Sequence, residues 1–131
     1  MGDTLGRSRR TWIGEETIRL AFEDNTGEKF PNTKNLPWNP RRELDGYCEA
    51  LSVAFQFHGK QHYEHVPFFH RTEQHFLDQR ARDKLTEDAC ERNGVSLLTV
   101  SYKVSIPEIR GLVRAFLVEP SGTSSSGRPK R

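Results

Sequence analysis

The stretch "LSVAFQFH" at residues 51–58 leaves this chain the least freedom. Leu51, Val53, Phe55 and Phe57 alternate with Ser52, Ala54, Gln56 and His58. That period of two is sorted cleanly onto two faces only by a β-strand, here with an apolar face and a polar one. A strand must find backbone partners and a cover for its apolar row. The preceding "RELDGY" reads as its partner across a tight turn. Gly59 interrupts the strand, "QHY" resumes it, and "VPFF" reads as an irregular connection.

Helical signals supply the cover. In "WIGEETIRLAFED", residues 12–24, Ile13, Leu20 and Ala21 form a stripe with Ile18 and Phe22 beside them. Glu16 falls on that stripe, and an acid there needs a partner if it is buried. "FPNTKNLPWNPRR" carries three prolines and two asparagine turn signals and reads as a loop. A long helix runs from an N-cap at Thr72 to Asn93, with Gly94 as its stop. "VSLLTVSY" reads as a buried strand. Ser105 and Glu108 form a capping box for "IPEIRGLVRAFLV", whose Ile109, Leu112, Val113 and Phe116 face the core. The order of helix, two or three strands, helix, strand and helix predicts an α/β domain, a mixed central sheet flanked by helices.

The 131 residues suffice for one domain with its own core. Residues 1–10 read as a flexible basic arm, 11–118 as the domain, and 119–131 as a basic Ser/Gly-rich tail. Twenty basic and 18 acidic residues give a net charge of only +2, yet "GRSRR" and "GRPKR" make both ends basic. Such arms either touch phosphates or simply aid solubility. No apolar run approaches the roughly 20 residues of a membrane span, and "MGDTLGRSRR" has no signal-peptide core. Cys48 and Cys90 are too few for a disulfide framework or a four-cysteine zinc site. A cytoplasmic protein is expected, nuclear or virus-associated if the host is eukaryotic, and not a secreted one.

Three positions could carry chemistry. Asp45 stands near a strand end before a turn, with Leu44 pointing into the core and Asp45 out of it; an ordinary turn aspartate looks the same. Asp83 shares a helix face with Phe76, Arg80, Glu87 and Cys90 at about 100° per residue. That face meets the sheet unless Asp83 merely pairs with Arg80 or Lys84. His62 lies just beyond the strand that pairs with the Asp45 strand, and imidazole both takes and gives protons near neutral pH. For His58, His65, His70 and His75 an exposed or capping role is the simpler reading. Their spacing imitates helical metal ligands in a segment that reads as strand. A carboxylate holding a divalent metal beside an imidazole is a standard means of cutting a phosphodiester.

The pieces "LDGY", "GKQHY", "VPFFH" and "RDKL", in that order, resemble the EDxHD homing-endonuclease family. That family is similar to the very-short-patch-repair mismatch endonucleases and belongs to the PD-(D/E)xK nuclease fold. The resemblance covers residues 14–102. It places the signature letters on Glu16, Asp45, His62 and Asp83, with His58 at the variable position. It implies that Asp45 binds Mg²⁺ (or Mn²⁺) with a backbone carbonyl near Phe57, and that His62 is the general base. Glu16 and Asp83 would orient the base or metal-bound water, and Lys60, Gln61, Arg80 and Lys84 would contact DNA. Relatives carry a glutamate where this chain has Gln56, and the cysteines of the repair enzymes' structural zinc are missing. The implied protein is therefore a Mg²⁺-dependent DNA endonuclease without structural zinc and with no membrane partner, with a homodimer open to it. The family's homing members attach a separate DNA-reading region that this sequence does not show, so it reads as an excised catalytic domain or a free-standing nuclease. The alternatives are a nuclease-fold protein that binds nucleic acid without cutting it, and a histidine-cluster metal module.

Overall fold

A computed structural model describes residues 9–59 and 73–118. The elements are α1 (Arg9–Thr26), β1 (Thr33–Leu36), β2 (Asn39–Leu44), β3 (Gly46–Cys48), β4 (Val53–His58), α2 (Glu73–Arg92), β5 (Ser96–Ser101) and α3 (Ile106–Val118). The protein is mixed α/β. Its three-stranded sheet has the order β3-β4-β5, with β3 antiparallel and β5 parallel to β4. Residues 1–8, 60–72 and 119–131 lie outside the described residues.

β4 is the central strand, and it is covered on both faces. Val53, Phe55 and Phe57 join Ile18, Ala21 and Phe22 of α1 and Ile109, Val113 and Phe116 of α3 in the larger core cluster. Phe22 stacks between Phe30 at 4.8 Å and Phe55 at 5.6 Å, ring centroid to centroid. Ala54, on the opposite face, joins Leu44, Cys90 and Val95 under α2. The expected polar face is thus buried too, because the α2 crossover between parallel strands returns over it. Leu51, expected in the core row, precedes the strand and is exposed. On α1 the stripe is Ile18, Ala21 and Phe22, while Leu20 faces solvent.

The proline-rich segment read as a loop is a β-hairpin instead. β1 and β2 pair through Thr33↔Leu44, Lys34↔Glu43 and Leu36↔Asn39, with an irregularity between Lys34 and Leu36. Both strands of a two-stranded ribbon are edges, so Pro40 can sit in β2 without breaking an interior ladder. Pro37 falls in the turn. Trp38 meets Tyr47 edge to face at 5.8 Å and docks the ribbon on β3. "RELDGY" is not one strand: the chain leaves one sheet at Leu44 and enters the other at Gly46. There a Cβ on residue 46 would lie 2.1 Å from the Phe55 ring, so glycine is required. α2 ends one residue before Asn93, and Gly94 takes a φ of +72° that only glycine adopts cheaply. Glu108 Oε1 accepts from the Ser105 N–H at 3.1 Å at the start of α3.

Candidate functional site

The site sits where β4 ends. At Asp45 the chain is between sheets, so the ladder that would continue from β3 along β4 has no backbone acceptor for the Phe57 N–H. The Asp45 side chain takes its place: Phe57 N donates to Oδ2 at 2.8 Å. Asp45 is only 9% exposed, so the outward orientation expected for it is corrected. Tyr102 N donates to the His58 carbonyl at 2.9 Å, and Ser96 N to that of Ser52. In a parallel ladder the even-numbered residues along this stretch bond to β5. The Phe57 carbonyl therefore points the other way, toward the edge that holds Asp45.

Arg19 of α1 fastens this corner. Its Nη2 donates to the Asp45 carbonyl at 2.5 Å, its Nε to the Phe30 carbonyl at 2.9 Å, and its Nη1 to Glu16 Oε2 at 2.6 Å. Its guanidinium also stands over the Phe55 ring, 5.5 Å from the centroid. Glu16 thus reaches Asp45 through Arg19 rather than lying on the apolar stripe. The buried acid of "GEE" is its neighbour Glu15, 6% exposed, three and seven residues before Ile18 and Phe22. The adjacent Gly14 lies against Phe57, where a Cβ would approach the ring to 2.8 Å.

His58 is the second corrected position. It is buried, 5% exposed, not an exposed or capping histidine. It projects on the α2 side of β4, where its Nε2 stands 4.0 Å from Asp83 Oδ1. Asp83 accordingly lies over the sheet, as its helix face implied. Lys84 pairs instead with Asp88 at 3.2 Å, and Arg80 stands over the Phe76 ring. His75 is exposed near the start of α2. His62, His65, His70, Lys60 and Gln61 lie outside the described residues.

Asp45, Phe57, His58 and Asp83 are therefore gathered within one strand end and the helix above it, with Glu16 joined through Arg19. Neither Arg19 nor Glu15 stood out in the sequence. The one available signal was the three-residue spacing of Glu16 and Arg19, which helices use for ion pairs. Among the described residues no group of three or more His, Cys, Asp or Glu side chains is placed to hold a metal. A carboxylate, a backbone carbonyl and waters would nonetheless suit Mg²⁺, a hard cation that keeps much of its water. No described helix is long and apolar enough to cross a membrane.

No family model and no solved structure matches the chain. It is similar to uncharacterized proteins of three viruses. Protein 094L of Frog virus 3 (isolate Goorha) is 34% identical over 110 residues, 79% of this chain and 70% of that protein. Protein 307L of Invertebrate iridescent virus 6 is 32% identical over 101 residues, 68% of this chain and 51% of that protein. Protein 033L of Invertebrate iridescent virus 3 is 34% identical over 109 residues, 79% of this chain and 56% of that protein. The chain spans only about half the length of the latter two.

Proposed function

This chain belongs to the family of the Frog virus 3 protein 094L, and for a member with this site we propose a metal-dependent endonuclease that hydrolyses phosphodiester bonds in DNA. The observation that carries the reading is the approach of His58 Nε2 to Asp83 Oδ1 at 4.0 Å, one residue along β4 from the backbone that Asp45 holds. An imidazole beside one carboxylate, with a second carboxylate at the same strand end, supplies a base and an oxygen ligand in one place. The finer fold assignment belongs to the same proposal: α1, β3, β4, α2 and β5 would form the core of a PD-(D/E)xK nuclease.

Asp45 and the Phe57 carbonyl would hold Mg²⁺ (or Mn²⁺), which when bound neutralises charge developing on the phosphate. The remaining work falls to this chain. Water attacks phosphorus and gives a proton to His58, one bridging P–O bond breaks, and the leaving oxygen takes a proton from solvent. Asp83 orients the ring and stabilises it once charged. Glu16 fixes Arg19, which positions Asp45. This assigns to His58 the proton transfer that the resemblance placed on His62.

The test is single-turnover cleavage of supercoiled plasmid in Mg²⁺ and in EDTA, with His58→Ala and His62→Ala side by side. Metal-dependent cutting lost in His58→Ala supports the assignment. Cutting lost only in His62→Ala returns the proton to His62, and no cutting under any metal removes the nuclease reading. A non-cutting nucleic-acid-binding protein is the second reading, favoured by Gln56, whose amide adds no negative charge beside Asp45.

A further inference from the structure

A cleft of about 430 Å³ opens between the β1–β2 ribbon and α2, with Gln56 and Asp83 among its lining residues. On α2 it is lined by Gln79, Arg82, Asp83 and Thr86, spaced three, one and three residues apart and so presented on a single helix face. The ribbon contributes Lys34, Arg41, Arg42 and Glu43.

The charges in this cleft do not cancel. Its two acids are engaged: Glu43 Oε2 accepts from Asn32 Nδ2 at 2.5 Å, and Asp83 faces His58. Arg42 is turned to Asn39 Oδ1 at 2.9 Å. Lys34, Arg41 and Arg82 stand in no ion pair among the described residues, and Arg41 and Arg82 are exposed. Arg19 and Arg110, by contrast, are paired with Glu16 and Asp24. Arg41 is also held in place: it takes a φ of +61°, and its N–H donates to Asn35 Oδ1 at 2.9 Å. A concave surface lined with unpaired cations focuses its field on an anion. Because Asp83 belongs both to the cleft and to the His58 pair, an anion held there lies beside the proposed cleavage point.

We propose that this cleft binds the sugar–phosphate backbone of a nucleic-acid strand through Lys34, Arg41 and Arg82, and so delivers the strand to His58 and Asp83. The inference rests on the phosphodiester reading and adds to it the surface that carries the substrate. It moves the main phosphate contacts from Arg80 and Lys84 to the neighbouring helix face and to the ribbon.

The experiment measures binding, without cleavage, of the full chain to a labelled DNA duplex by fluorescence anisotropy in EDTA across about 50 to 200 mM salt. Removing two phosphate-binding cations in Arg41→Gln/Arg82→Gln should flatten the plot of log affinity against log salt by about two units, one per contact. Arg41→Lys/Arg82→Lys should keep the slope. Arg114→Gln, on α3 across the sheet, should leave it untouched. An unchanged slope in the double glutamine variant overturns the cleft assignment while the nuclease reading stands. Displacement of the duplex by micromolar inorganic phosphate at matched ionic strength also overturns it, because the cleft would then be a small-anion site. A wild-type chain that binds no DNA sinks both readings.

Discussion

The backbone N–H of Phe57 donates to Asp45 Oδ2 at 2.8 Å, so a residue singled out as a metal ligand also completes the sheet. Its two roles are separable. Asp45→Ala leaves a buried N–H without its acceptor and should cost about 1–3 kcal/mol of stability besides all cleavage. Asp45→Asn keeps an acceptor oxygen but no charge, so it should recover most of that stability and none of the activity. Urea midpoints read the first quantity and plasmid nicking the second. An asparagine variant as unstable as the alanine one would show that charge, not acceptance, holds the strand end.

His58 and Asp83 should act as a unit. His58→Gln and Asp83→Asn should each slow single-turnover cleavage by about a hundredfold or more, since general-base catalysis contributes roughly that much. The double variant should be no slower than the worse single one, because a carboxylate that acts through an imidazole has nothing to do once the imidazole is gone. The rising limb of the pH–rate profile should vanish with His58→Gln. Rate losses that multiply would mean independent roles.

Tyr47 links the ribbon to the stability of the sheet. Burial pushes its phenol above the ordinary value near 10, with the charge of Glu49 adding to the shift. A raised folded pKa means that the native state holds the proton longer than the unfolded chain. The stabilisation is thus fully present below about pH 10 and is lost as pH rises through the raised value. Between about pH 9 and 11 the urea midpoint should fall less steeply for Tyr47→Phe than for wild type. Equal slopes would mean that Tyr47 is solvated as an ordinary phenol.

Much of the frame was legible because it rests on local rules. The alternation of β4, the Gly94 stop of α2, and the Ser105–Glu108 start of α3 are written in adjacent residues. The Asp83 face was legible from helical spacing alone. What escaped depends on distant partners. His58 looked like the polar side of a half-buried strand, and only the return of α2 over that face buries it. Asp45 looked outward because the change of sheet at Leu44–Gly46 leaves no trace in periodicity. The ribbon was hidden by prolines that are harmless only on an edge, and Arg19 reaches residues 11 and 26 positions away.

Gln56 carries the sharpest test of which groups hold the metal. Its Nε2 donates to the Glu43 carbonyl at 3.2 Å, and its Oε1 is buried with no hydrogen-bond partner among the described residues. Gln56→Glu removes that donor and sets a carboxylate against the Glu43 carbonyl. The substitution should therefore destabilise the fold by roughly 1–3 kcal/mol. If Asp45 and the Phe57 carbonyl suffice for the metal, the cleavage rate should change by less than about tenfold, which is about 1.4 kcal/mol of barrier. Single-turnover rates for wild type and Gln56→Glu, at a temperature where both are folded, decide the matter. A gain of a hundredfold or more, with no histidine-dependent limb in the wild-type pH profile, would place the metal on residue 56 and make His58 a structural side chain.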